Sequence, residues 1–300
     1  MKGVQVIRIA AVGAAFCLTG AMILQMAIFT YRRRASAESP GAAVSLETGR
    51  EAAASLETGR KAGASLEAGE SARSPARTVF AETEASSEAK APALTDGFAA
   101  VPSAAHINSE LSVYEEEQVA FTGGDTVLLT AEKAGEGYVS GMAESDKSYL
   151  YGEFSFTVTP PEGAGLFPAI WMLNTQGKAL PEIDIYEHVG TEPDRYSGVL
   201  HYFSDKHRRA YFIYQFENGM PRRYTVGLSW HENLLVWTLD GAEVFRTESH
   251  VPAEPMYLIM GLAVGGNWPG DPDGNTAFPA CFEVKIERLE PEAAAPRQKG

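Results

Sequence analysis

Strict alternation of polar and apolar residues marks Glu153-Phe154-Ser155-Phe156-Thr157-Val158-Thr159, the period-two pattern of a half-buried β-strand. Leu234-Leu235-Val236-Trp237-Thr238-Leu239 runs into Asp240-Gly241, a two-residue hairpin signal, and then into Glu243-Val244-Phe245-Arg246. Further strands are predicted at 113–120, 126–132, 168–174, 181–187, 197–203, 209–216, 223–230, 256–264 and 281–289, with Gly, Pro, Asn and Asp between most of them. No helical periodicity persists beyond about ten residues. A dozen short strands in roughly 190 residues predict an all-β fold, a jelly-roll sandwich of two antiparallel sheets. Such a curved sheet offers a concave substrate groove suited to a polymer.

The front of the chain follows other patterns. Residues 9–31 carry no charge, and 23 residues of helix span about 34 Å, enough for the apolar layer of a membrane. Lys2 and Arg8 precede the run, and Arg32, Arg33 and Arg34 follow it. The length fits a single-span anchor; a signal segment cut near Ala35-Ser36-Ala37 is the other reading, and a buried core helix the least favoured. The first two mean export, to the extracellular space or the cell surface. The three Arg conflict with that orientation, because positive flanks favour the cytoplasmic side. Residues 42–71 then repeat with a period of ten, as in Ala52-Ala53-Ala54-Ser55-Leu56-Glu57-Thr58-Gly59-Arg60-Lys61. One large apolar residue per repeat leaves nothing to bury, so 35–95 is predicted to be a disordered Ala- and Ser-rich linker. The expected organisation is 1–34 signal or anchor, 35–95 linker, 96–290 folded domain and 291–300 disordered tail.

Charge sharpens this division. Residues 1–105 hold 11 basic and 10 acidic side chains, whereas 106–300 hold 14 and 29. All four Trp lie after residue 105. A domain at −15 is a poor partner for nucleic acid, and contact with a membrane is expected only through the N-terminal segment. Cys17 and Cys281 are the two cysteines, too few for a disulfide framework or a Cys-based metal site. No His pair stands at metal-ligand spacing, and no G-x-S-x-G or phosphate-binding glycine loop occurs, so no metal and no cofactor are expected.

The informative segment is Pro181-Glu182-Ile183-Asp184-Ile185-Tyr186-Glu187-His188. On a regular strand Glu182 and Asp184 share one face and Ile183 and Ile185 the other. Glu187 would point to the wrong face, unless a β-bulge at 185–186 restores it. Three carboxylates in a row then raise at least one pKa, as glycoside hydrolysis requires of its proton donor. The bland alternative is an acidic solvent face. The apolar approach Gly165-Leu166-Phe167-Pro168-Ala169-Ile170-Trp171-Met172-Leu173 argues against it.

Gly163–Glu187 resembles the G-x-G-x-[WF]-P-A-x-W-[ML]-L and E-x-D-x-x-E segments of glycoside hydrolase family 16, which includes laminarinases, lichenases and agarases. Asn108-Ser109-Glu110-Leu111 with Tyr114, Tyr138-Val139-Ser140-Gly141, Tyr151-Gly152-Glu153-Phe154, the block from Trp230 through Trp237 and Asp240-Gly241 to Phe245, and Ala263–Gly270 resemble other pieces in the family's order. The likeness runs from about 106 to 289. It implies a jelly roll and a retaining double displacement, with Glu182 as nucleophile, Glu187 as acid/base and Asp184 poising the nucleophile. Some relatives carry a calcium ion on an Asp that corresponds to Lys285 here, which argues against calcium. The family's opening Trp is missing, Arg223 and Gly261 replace a frequent His and Asn, and the first strand is expected to be short or absent.

The resemblance also suggests substrate binding by Asn108, Trp171, His201 and Asn267, and Trp268, a large aromatic in the Gly-rich loop 265–270, is expected to be exposed and to contact ligand. Taken alone, Trp171 fits either the cleft or the core, and His201 either the groove or a satisfied structural role. Trp230 and Trp237 are expected in the core, and His188 is expected to be structural. The activity implied is an exported endo-glucanase acting on a neutral β-glucan, most readily β-1,3 linked, as a monomer. Alternatives are a non-catalytic carbohydrate-recognition protein on the same sandwich, an agarase-like galactan hydrolase, and a transglycosylase.

Overall fold

The computed structural model describes residues 93–104 and 106–297. The expectations for 1–34 and for nearly all of 35–95 lie outside these residues. Among the described residues the only helices are three 3-10 turns, Leu94–Gly97, Ile107–Ser109 and Glu116–Gln118, and no helix is long and apolar enough to cross a membrane.

Fifteen strands among the described residues form a hydrogen-bonded network that folds into two layers. One layer is built from β6 (Met142–Thr159), β7 (Leu166–Asn174), β8 (Glu182–Glu187), β9 (Arg195–Phe203), β10 (His207–Gln215) and β14 (Met256–Val264). They lie in the order β10-β9-β8-β7-β14-β6, and β1 (Phe98–Ala100) pairs with the start of β6. The other layer contains β3 (Val119–Thr122), β4 (Thr126–Ala134), β11 (Tyr224–His231), β12 (Leu234–Leu239), β13 (Ala242–Thr247) and β15 (Ala280–Pro296). The short strands β2 (Ser112–Tyr114) and β5 (Gly137–Ser140) pair in parallel beside it.

The long strand β6 belongs to both layers. Residues 142–149 pair with β14, whereas 152–158 pair with β11. The change falls at Tyr151 and Gly152, both at positive φ. A Cβ on Gly152 would lie 2.4 Å from the Glu290 carbonyl, so the close approach of β15 requires glycine here.

Between the layers Trp230, Trp237, Tyr186, Phe154, Phe156 and Phe282 are fully buried, each removing a large apolar surface from water. Both tryptophans thus lie in the core, as expected. Two ties cross it: Trp237 Nε1 donates to the Asp184 carbonyl at 3.0 Å, and the hydroxyls of Tyr186 and Tyr224 lie 3.0 Å apart. A second apolar cluster, of Tyr114, Met142, Ala169, Trp171, Leu173 and Ile259, lies on the other face of the first layer.

Three expectations are corrected. The strand predicted at 113–120 is broken by the turn at Glu116–Gln118 into β2 and β3, where three successive acids, Glu115 to Glu117, fit solvent better than a ladder. The sheets are not purely antiparallel, because β2 runs parallel to β5. The tail expected from 291 is strand through Pro296, since 291–296 pair with the free edge of β6. The opening strand β1 is three residues long, as anticipated.

Candidate active site

The acidic strand is built as its pattern suggests. Across β7, Trp171 pairs with Asp184 and Ile170 with Tyr186, leaving Ile185 as the extra residue. Across β9, two residues between Asp184 and Glu187 face only Gly198. This is the bulge predicted at 185–186. Ile183, Ile185 and Tyr186 enter the main core, while Glu182, Asp184 and Glu187 line one pocket on the opposite face. Glycine at 198 makes the arrangement possible: a Cβ there would lie 2.7 Å from Trp237 Nε1 and 2.5 Å from the Phe212 ring.

The pocket is closed by Asn108, Glu110, Tyr114, Phe167, Ala169, Trp171, Gly261 and Ala263. Trp171 forms its floor. A Cβ on Gly261 would stand 3.1 Å from the Trp171 ring, so glycine lets the indole settle against β14. Asn108 adopts a left-handed conformation (φ 53°), and its carbonyl accepts from the Asn267 N–H at 3.1 Å.

The three acids are almost fully buried, and burial is the first cause holding each well above the usual carboxylate range. For Glu182 the charges of Asp184 and Glu187 add to it. For Glu187 the Asp184 charge adds, while His201, the Ser197 hydroxyl and Arg209 oppose it. Ser197 Oγ donates to Glu187 Oε2 at 3.3 Å. Both Glu182 oxygens, Asn108 Oδ1 and Trp171 Nε1 are buried with no hydrogen-bond partner in the protein. Native folds rarely leave such groups unpaired, and these four belong to residues lining one pocket, whereas Arg195 Nε, Tyr196 Oη and Arg297 Nη1, which also lack a hydrogen-bond partner, lie outside it.

His201 faces the acids, with Nε2 3.2 Å from Asp184 Oδ2 and Nδ1 2.8 Å from His207 Nε2. Burial lowers its pKa to about 4, so it is neutral at pH 7. Trp268 does not line the pocket; it packs on Phe167, which does, with ring centroids 5.2 Å apart. Asn267 is exposed and reaches the site through its backbone. His188 is buried, its Nδ1 2.8 Å from the Arg195 carbonyl oxygen, and stands outside the site.

Sequence reasoning about the site missed Glu110, Tyr114, Phe167, Ala169, Gly261 and Ala263. Glu110 is a fourth buried carboxyl in the pocket. Burial pushes it up to about 8, against the hydrogen bond donated by Tyr114 at 2.8 Å. Its available signal was the N-x-E resemblance, which assigned it no role. Among the described residues no group of His, Cys, Asp and Glu is arranged to hold a metal ion.

The chain is similar to known proteins over its strand-rich part. The chain is 31% identical over 219 residues to a "Beta-glucanase" of Rhodothermus marinus, covering 61% of this chain and 74% of that one. It is 25% identical over 203 residues to the "Clotting factor G alpha subunit" of Tachypleus tridentatus, covering 62% of this chain but 30% of that much longer protein. The endo-beta-1,3-glucanase structure from Pyrococcus furiosus superposes with a TM-score of 0.55 at 26% identity, covering 64% of this chain and 88% of that one. The model of "Glycosyl hydrolases family 16" matches residues 108–285, and the chain belongs to that family.

Proposed function

We propose that the domain hydrolyses a neutral β-glucan, within the chain and with retention at the anomeric carbon. One observation carries the reading: the bulge at Ile185 puts Glu182, Asp184 and Glu187 into a single buried pocket. The names of the relatives, a beta-glucanase and an endo-beta-1,3-glucanase, support β-glucan as the substrate and favour 1,3 linkage.

Three neighbouring buried carboxyls do not all ionise, so protons are retained in the cluster. The division of roles is the one the family resemblance implies, with Glu182 as the carboxylate; Glu187 keeps one proton. It gives that proton to the glycosidic oxygen while the Glu182 carboxylate attacks the anomeric carbon. The bond to the leaving sugar breaks and a glycosyl ester forms on Glu182. Glu187, now ionised, takes a proton from water, whose oxygen attacks the same carbon and frees Glu182. Asp184 lies between them on the strand and tunes the charge available to both. Phe167 and Trp171 offer aromatic surface to sugar rings. Export, with residues 9–31 holding the domain at a membrane, belongs to the same proposal.

The test uses the full chain and its Glu182→Gln variant on laminarin, mixed-linkage β-glucan, agarose and carrageenan, reading reducing ends. Release from a β-glucan that vanishes in the variant is expected. Release from none of the polymers, with glucan binding intact, would overturn the enzyme reading.

A further inference from the structure

The face that carries the site holds a second polar assembly, which the proposed reaction does not use. Tyr257 packs against the apolar cluster containing Trp171, Leu173 and Ile259. Glu144 on β6 pairs directly with Ile259, so its side chain lies on the same face. Arg297, just beyond β15, reaches onto that face. Its backbone N–H donates to the Asp146 carbonyl at 2.8 Å, and its Nη2 donates to Glu144 Oε2. The guanidinium lies over the Tyr257 ring, 3.9 Å from the centroid. Little of the pair is open to water: the side chains are 14% and 10% exposed. Tyr257, Leu173 and Glu182 are register partners across β14, β7 and β8. Arg297 therefore covers a position two strand spacings, ~10 Å, from the strand of the nucleophile.

We propose that Arg297 is a specificity-determining cap that shuts Tyr257 off from the groove and limits how many sugars bind on the β14 side of Glu182. The inference rests on the carbohydrate reading of the site. A tyrosine continuing an apolar floor is a platform for the apolar face of a pyranose. Arg297 occupies the ring face that such a sugar would take. A charge-assisted hydrogen bond and a cation–π contact hold it there. Removing the side chain bares the ring without touching the acids.

The test measures binding of short and long β-gluco-oligosaccharides by calorimetry, in the full chain carrying Glu182→Gln to prevent turnover. Adding Arg297→Ala is expected to tighten the long ligand at least about fivefold relative to the short one. Adding Glu144→Gln, which loosens the anchor of the guanidinium, should shift the ratio the same way by less, and it guards against local misfolding around residue 297. An unchanged ratio in both variants, or weaker binding of the long ligand, overturns the cap. A Glu182→Gln parent that binds no oligosaccharide of either length overturns the glucan reading itself.

Discussion

Trp237 donates its indole N–H to the backbone carbonyl of Asp184 at 3.0 Å, across the full thickness of the core. Its strand, β12, belongs to the opposite layer from the acidic strand. The bond meets β8 where the bulge interrupts the ladder. A core residue of one layer thus fixes the backbone from which the acids project on the other.

Trp237→Phe removes that donor and leaves a buried carbonyl unpaired, at a cost of about 1–3 kcal/mol. Denaturant unfolding should show this loss. The rate of glucan cleavage should fall about tenfold with KM nearly unchanged, because the acids are displaced rather than removed. Gly198→Ala should act alike, since its Cβ would intrude on the same indole.

Glu110 predicts a pH dependence of stability. Its folded pKa of about 8 lies above its ordinary value of 4.5. Between those values the folded state binds more protons than the unfolded state, so stability falls as pH rises through that window. The slope from this residue approaches about 1.4 kcal/mol per pH unit inside it. Glu110→Gln should flatten the decline, and wild type and variant should converge below pH 4.5. Thermal unfolding from pH 4 to 8 measures it.

The glycine at 261 predicts a steric effect at the floor of the site. Gly261→Ala places a Cβ 3.1 Å from the Trp171 ring, so the indole must shift by a few tenths of an ångström. The expected results are a changed Trp fluorescence on ligand binding and a KM raised several-fold. Stability should fall by about 1–3 kcal/mol, the usual cost of overpacking.

His207 stands outside the pocket and acts through His201. A neutral His201 has one donor and one acceptor nitrogen, and His207 engages one of them. His207→Ala frees the His201 ring and should lower kcat several-fold with KM held. His207→Gln, which keeps a side-chain donor and acceptor, should restore part of the rate. A role only in folding would instead lower the unfolding temperature without this split.

Much of this site was legible in the chain. Alternation placed Ile183 and Ile185 inward, and the five-residue offset from Glu182 to Glu187 required the bulge that β8 contains. Other features leave no local trace. Only 153–159 of β6 alternates, because residues 142–149 bury polar side chains, Glu144, Ser145 and Ser148, among apolar ones. The stretch 291–296 has small and charged residues typical of a tail, and a distant strand edge makes it β. Glu110 reads as a surface acid until Tyr114 and the rest of the pocket close around it. Arg297 gains its meaning from Tyr257 and Glu144, both far away in sequence.

The central claim is that the Glu182 carboxylate attacks the anomeric carbon. The most direct measurement is peptide mass spectrometry of the full chain after reaction with an activated 2-deoxy-2-fluoro-β-glucoside, which slows breakdown of a covalent intermediate. A single glycosyl adduct on the peptide carrying Glu182, localised to that residue, is the predicted result. An adduct on Glu187, or steady turnover of natural glucan with no adduct formed, would contradict the account.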